Sequence, residues 1–241
     1  MTRVAPTPRV TVFIPAFNRE QHIGAAIRSV LAQTYQDFEL LVIDDGSTDA
    51  TTDRVRDFDD PRIVLVRHAG NQGIPRTRNH ALDLARGEYL ANLDSDDLCH
   101  PRRLARQVAF LDRNPDHAGV GSWGRDLDAA GRRRRRVRRE PLRAADVDVH
   151  LLFRCALRNR SVTLRTELAR RYRYDESFTR CQDYELHARL AIRHRLANLP
   201  EILVYARQHP GRSTRSTGEL GRAKKPAITE APLQTLGLAP T

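Results

Sequence analysis

"FELLVIDDGSTDATT", Phe38 to Thr52, decides the fold. Its apolar residues run on without the alternation of a strand that has one wet face, so it reads as a strand buried on both faces. The strand ends in two carboxylates, Asp44 and Asp45. A Gly-Ser turn then leads into a helix that Ser47, Thr48 or Asp49 can cap.

The same unit repeats on both sides. Upstream, "RVTVFIPAF", Arg9 to Phe17, is a continuous apolar strand closed by Pro15, followed by Ile23, Ile27, Val30 and Leu31 at helical spacing. Downstream, "RIVLVRH" is a third strand, "GIPRTRNHALDLARG" a third helix closed by Gly87, and "EYLANLD" a fourth strand. Strands alternating with helices predict an α/β protein with a doubly wound sheet, helices on both faces, and ligands beyond the carboxyl ends of the strands. Three polar clusters fall at those ends: Ala16 to Arg19, Asp44 to Ser47, and Asp94 to Asp97.

The third cluster poses an electrostatic problem. In "LANLDSDDLCH", Leu90 to His100, Asp94, Asp96 and Asp97 lie within four positions. Close-packed carboxylates raise one another's pKa unless something positive neutralises them. Either they point separately into water, or they hold a cation.

Beyond Pro101 the pattern loosens. The expected elements are a helix over Arg102 to Arg113, a strand over Gly119 to Asp128, and a hairpin turn at Gly131 whose return strand carries "RRRRRVRR". A helix over Pro141 to Arg158, the strand "RSVTLRT", the helix "QDYELHARLAIRH" and a last strand "EILVYARQH" follow. From Gly211 the composition shifts to Ser, Thr, Gly and Pro, as in a loosely packed extension.

Composition narrows the function. The chain has 241 residues, 40% apolar, enough for one large domain with a real core. No apolar run reaches the ~18 to 20 residues of a membrane span, and the first residues lack a signal peptide's apolar core, so a cytoplasmic protein is expected. Its three cysteines, Cys99, Cys155 and Cys181, are too dispersed for a disulfide framework or a zinc site. Net charge is +11, mostly arginine, which favours anionic partners. Aromatics are 6% and none interleaves the arginine run, so there is no stacking platform and nucleic acid is not the expected partner. The run itself is open between a solvated face and a surface for an anionic membrane or a phosphorylated acceptor.

"VTVFIPAFNRE", "LAQTYQDFELLVIDDGSTDAT", "NQGIPRTRNHALDLARGEYLANLDSDD" and "CQDYELHARLA" resemble the successive motifs of family 2 glycosyltransferases, inverting enzymes of the GT-A fold. The resemblance spans Val10 to Ser213. It implies one GT-A domain over 1–213, with a nucleotide-sugar half at 9–100, an acceptor and catalytic half at 101–213, and a flexible tail at 214–241. The implied reaction moves one sugar from a UDP, GDP or dTDP sugar to an acceptor hydroxyl.

The resemblance also assigns residues. Asp94-Ser95-Asp96 matches the DxD motif, with Asp96 and Asp94 the ligands of a Mg²⁺ or Mn²⁺ that bridges the donor diphosphate. Pro15, Ala16, Phe17, Asn18 and Arg19 match the first nucleotide loop. Asp45 matches the acceptor of a hydrogen bond from the base, with Asp44 beside it, although a plain turn after a strand would use the same residues. Arg78 would face the nucleotide. Asp183 matches the catalytic base, unless it merely caps its helix, and Gln182 stands where the family usually has Glu. Arg207 and His209 match a late segment that folds over the diphosphate, or else form a surface loop. Two other readings compete: a basic polyanion-binding protein, and a nucleotidyltransferase, whose Gly-rich phosphate loop with Arg and Lys is missing from "PAFNREQH".

Overall fold

Alternate residues of the first two strands feed two separate cores. Val10, Val12 and Ile14 of β1 (Val10–Ala16) and Leu40 and Val42 of β2 (Phe38–Asp44) pack on one side, while Phe13, Leu41 and Ile43 pack on the other. Both faces are apolar, which is why these strands show no alternation in sequence. The first core is closed by α1 (Ile23–Leu31), α2 (Thr51–Arg56) and α4 (Arg103–Arg113) through residues such as Ile27, Val55 and Val108. The second is closed by α3 (Ile74–Leu84), α5 (Ala144–Leu151), α6 (Thr166–Tyr172) and α7 (Gln182–Ala191) through Leu82, Val147, Ala169 and Leu186.

The computed structural model describes residues 7–128, 130–208, 227–230 and 233–234. The remaining strands are β3 (Ile63–Arg67), β4 (Tyr89–Asn92), β5 (Leu98–Cys99), β6 (His117–Leu127), β7 (Arg133–Arg138), β8 (Thr163–Arg165) and β9 (Arg195–Arg207). One nine-stranded sheet runs in the order β3-β2-β1-β4-β8-β6-β9-β5, with β7 paired to β6. β3, β2, β1 and β4 are parallel; β8 runs antiparallel to β4, so the expected mixed, doubly wound sheet is present. The chain winds from β1 to β2 and β3 in one direction and then crosses to β4 on the other side of β1. That reversal opens a crevice at the carboxyl end of β1, where ligands bind in such sheets.

Several boundaries differ from the sequence expectation for physical reasons. Pro15 lies inside β1 rather than closing it. Phe13 bonds towards β4, so Pro15 points the same way, and β4 has already left the ladder there. No N–H is needed. β9 begins at Arg195, well before the expected Glu201, because Pro200 sits at a register jump between the Ser122–Leu199 and Trp123–Ile202 pairs. The expected helix over Pro141 to Arg158 shortens to α5, whose end is closed by N–H bonds of Phe153 and Arg154 to the His150 carbonyl. Neither Ser47 nor Thr48 caps α2; Asp49 accepts the N–H of Thr51, the first residue of that helix.

Of the expected tail, 227–230 and 233–234 are described; 227–230 is helical, with Ile228 buried in the second core. Among the described residues no helix is long and apolar enough to cross a membrane.

Candidate functional site

The three strand ends meet at one cleft of about 790 Å³. One wall is Pro15 and Ala16 at the end of β1 with Phe17 and Arg19 beyond it, Asp45 after β2, Asn71 and Gly73 before α3, and Ile74, Thr77 and Arg78 on α3; Asp94, Ser95 and Asp96 follow β4. Cys155 and Leu157 to Arg160 close it, together with Thr179 to Asp183 at the start of α7. Asp183 therefore shares the cleft with the two carboxylates expected to hold a metal.

The acidic cluster after β4 is answered first by the protein itself. Asp94, Asp96 and Asp97 each offer an oxygen within 4.8 Å of the others. Arg160 reaches in from a 3-10 turn, Asn159–Ser161, with Nη1 2.9 Å from Asp97 Oδ2 and Nε 3.8 Å from Asp94 Oδ2. β8 pairs antiparallel with β4 through Ala91–Thr163, and the Asn92 N–H bonds the Val162 carbonyl, so the 3-10 turn that precedes β8 lies beside the end of β4. Asp97, fully buried, also accepts the backbone N–H of Arg207 at 2.9 Å. Burial and the neighbouring carboxylates push the Asp97 carboxyl up, to about 8, against the pull of Arg160. Partial desolvation at the cleft raises Asp94 as well, with Arg160 and Arg78 opposing it and Asp96 and Asp183 adding to it. Asp97 is thus tied into the fold, while Asp94 and Asp96 face the cleft.

The acidic pair at the end of β2 is answered mainly by backbone N–H groups, a hydroxyl and an imidazole, with the half-exposed Arg67 guanidinium 3.7 Å from Asp44 Oδ2. Asp44, fully buried, accepts the Ser47 N–H at 2.9 Å and the Thr52 hydroxyl. Gly46, at φ 77°, makes that turn, and a Cβ there would sit 2.6 Å from the Gly70 carbonyl carbon. Asp45 accepts the N–H groups of Gln72 and Gly73, both at 2.9 Å, and its Oδ1 lies 2.7 Å from His68 Nδ1, whose other nitrogen meets His80 at 2.8 Å. Two donors already use Oδ1; Oδ2 has one and keeps room for another.

Other expected residues divide between the cleft and its support. Asn18 stands behind the wall, stitching two loops: its N–H bonds the Ser47 hydroxyl and its side-chain oxygen takes the Thr48 N–H, both at 2.9 Å. Asp44 is also behind the wall. Arg207 differs from the expected diphosphate contact, because its guanidinium packs toward Gly131 and only its backbone N–H serves the acidic cluster. His209 lies outside the described residues.

Arg78 lies on the cleft wall as expected. It is 7% exposed, its Nε and Nη1 have no hydrogen-bond partner, and its guanidinium carbon is 5.3 Å from the centre of the Tyr174 ring. A buried guanidinium with two N–H groups lacking hydrogen-bond acceptors at a cleft wall is suited to an anionic ligand.

At α7 the helix cap position is Cys181, left-handed at φ 61°, and Asp183 is in the first turn behind it. Asp183 does not occupy the cap. Gln182 is 6% exposed and its Oε1 has no partner. Burial pushes the Cys155 thiol well up, and that thiol donates to the Leu157 carbonyl. Sequence reasoning missed Arg160 and the wall from Cys155 to Asn159; the pairing of "SVTLR" with the fourth strand is the signal that would have found Arg160.

The family model described as glycosyl transferase family 2 matches residues 11–186. An uncharacterized glycosyltransferase of Haemophilus influenzae is 29% identical over 84% of this chain and 66% of its own length. The Escherichia coli enzyme named UDP-Glc:alpha-D-GlcNAc-diphosphoundecaprenol beta-1,3-glucosyltransferase WfgD is 42% identical over 44% of this chain and 42% of its own. The chain thus spans less than two thirds of either relative's length. Among solved structures, S. aureus TarS 1-349 in complex with UDP-GlcNAc superposes with a TM-score of 0.73 at 20% identity, covering 94% of this chain and 72% of that one. The mannosyltransferase PcManGT from Pyrobaculum calidifontis, in complex with GDP-Man and Mn2+, gives 0.68 at 23%, covering 97% and 66%. These likenesses bear out the expected GT-A-type mixed α/β fold. With the ordered motifs and a family model matched over most of its length, the chain belongs to glycosyl transferase family 2.

Proposed function

We propose that this chain transfers a single sugar from a nucleoside-diphosphate sugar to an acceptor hydroxyl, with inversion at the anomeric carbon. One observation carries this reading: a single cleft holds two cleft-facing carboxylates, Asp94 and Asp96, a buried cation with unpartnered N–H groups, Arg78, and a third carboxylate, Asp183, on α7. Family 2 relatives and neighbours whose names include UDP-Glc, UDP-GlcNAc and GDP-Man support a nucleotide-sugar donor.

The residues present fit a hard divalent cation. Asp94 and Asp96 supply carboxylate oxygens at the cleft surface, and Arg160 offsets the cluster's remaining charge through Asp97. A Mg²⁺ or Mn²⁺ there would neutralise charge developing on the departing diphosphate. Arg78 would donate to the same diphosphate, and Pro15, Ala16, Phe17 and Arg19 would border the nucleoside. Asp45 would accept from the base through Oδ2 while holding the Gln72–Gly73 loop in place.

Asp183 would take the proton of the attacking hydroxyl. Gln182 keeps an acceptor oxygen where the family usually has a carboxylate, so it would hold the acceptor by hydrogen bonding without competing for that proton. A glycan, lipid-linked or natural-product hydroxyl fits this scheme, and the E. coli relative named for a diphosphoundecaprenol-linked acceptor favours the lipid-linked class.

The test begins with a calorimetric screen of UDP, GDP and dTDP sugars with Mn²⁺, which selects the donor. Asp183→Asn should then bind that donor normally and lose about 10² to 10⁴-fold in turnover with little change in KM. Near-normal transfer by the folded variant would remove Asp183 as the base. A product that retains the donor's anomeric configuration would remove the single displacement.

A further inference from the structure

The arginine run is more than a charged strand. Alternation predicts arginines on two faces of a regular hairpin, but β7 does not pair regularly. Arg125 faces Val137 and Leu127 faces Arg133, so three residues, Arg134 to Arg136, stand opposite the single residue Asp126. The extra length bulges out of the ladder. All three arginines are exposed and have no partner among the described residues, since Asp126 is taken by Arg138 at 2.8 Å. Their neighbours at the two ends are held: Arg132 pairs with Asp128, Arg133 lies 4.8 Å from the Tyr205 ring, and Arg139 lies 5.3 Å from the Trp123 ring. The bulge is thus a fixed arch whose crown is positive.

A second exposed feature is tied to the end of the same strand. Glu140, directly after the run, bonds Arg158 at 2.7 Å and joins the end of β7 to the segment that follows α5. The two most exposed large apolar side chains among the described residues are Val149, in the last turn of α5, at 57%, and Phe153, just after that helix, at 65%, followed by exposed Arg154. The chain then runs directly into the cleft wall at Cys155 and Leu157.

We propose that the arch at Arg134–Arg136, together with Val149 and Phe153, docks the protein on an anionic lipid bilayer, the arginines against headgroups and the two apolar side chains in the interface. Basic side chains near an anionic surface each add attraction, and exposed apolar side chains add a component that salt does not screen. A second copy is disfavoured as occupant, because two such arches repel. Edge protection of β7 is served by a charge or two, and does not call for three unpartnered arginines in a bulge. Nucleic acid would use the same charge, but no aromatic side chain stands within the run to stack a base. The inference does not depend on which sugar is transferred.

The experiment is co-sedimentation of the full chain with vesicles of phosphatidylglycerol and phosphatidylcholine in equal parts, against phosphatidylcholine alone, with a transfer RNA competitor in a third arm. The wild type should pellet with the anionic vesicles only. The triple variant R134S/R135S/R136S should lose about a hundredfold in partitioning, at roughly fivefold per arginine, while keeping the wild-type nucleotide affinity as evidence of folding. Phe153→Ser should weaken the binding that survives high salt. Three results would each overturn the proposal: equal pelleting on neutral vesicles, unchanged partitioning of the triple variant, or RNA binding lost in the triple variant with no vesicle binding in the wild type.

Discussion

Two acidic clusters end the strands that flank β1, and they are built differently. At the end of β2, Asp44 and Asp45 receive close hydrogen bonds from backbone N–H groups, a hydroxyl and a histidine, with only a longer 3.7 Å contact from the half-exposed Arg67, so their charge goes mainly into shaping the loops at 46–52 and 72–73. After β4, Asp97 receives a guanidinium, and Asp94 and Asp96 stay turned toward the cleft. Similar residues in similar positions therefore do different work: one cluster sets the shape of the site and the other sets its charge. The difference follows from the neighbours. Loops that return over β2 bring N–H groups, and β3 brings only a half-exposed Arg67, whereas the turn before the antiparallel β8 brings the largely buried Arg160 to the end of β4.

The largest effect expected from this contrast is on Arg160. Arg160→Met leaves buried carboxylates without their cation and should cost about 3 to 5 kcal/mol in urea unfolding. Replacing Asp97 as well, in R160M/D97L, should return much of that loss, because the uncompensated charge is then gone. If Arg160→Met costs no more than a surface arginine, the cation's role in the charge-setting cluster is wrong.

Acid unfolding sharpens the contrast further. His187, fully buried on α7 with no partner on Nε2, is held neutral by burial, which lowers its pKa from 6.5 to about 4. The unfolded chain binds a proton at higher pH than the folded one. The stabilisation is therefore complete above pH 6.5 and lost as pH falls from there toward 4, about 3 kcal/mol in all. A His187→Leu variant should flatten that window. Loss confined to pH below 4 in both proteins would point to the carboxylates instead.

The smallest of these effects belongs to the shape-setting cluster. Asp44→Ala strands the Ser47 N–H and the Thr52 hydroxyl and should cost about 1 to 3 kcal/mol, with no change in metal dependence. A change in metal dependence would break the division of labour between the clusters.

Much of this was legible in the sequence where both faces of a strand are buried. β1, β2 and β4 read as apolar runs ending in polar clusters, and those ends do meet. The acceptor side was harder. Pro200 hides the first half of β9, because the register jump that accommodates it leaves no sequence pattern. Arg160 is one arginine among many until the β4–β8 register is known, and Arg207 matches a motif while its guanidinium packs elsewhere. Asp44 shows the converse: its position was read correctly, but hydrogen bonds local to the turn consume it.

The central proposal is that Asp94 and Asp96 face the cleft to hold a metal and diphosphate, while the β2 cluster shapes the site and leaves only Asp45 Oδ2 for the base. Calorimetric titration of the best-binding nucleoside diphosphate among UDP, GDP and dTDP, with Mn²⁺, into wild type and Asp96→Asn tests it most directly. The account predicts at least about tenfold weaker binding by Asp96→Asn, a similar loss for wild type in EDTA, and no further loss when the two are combined. Undiminished diphosphate binding by Asp96→Asn and by the EDTA-treated wild type would contradict it.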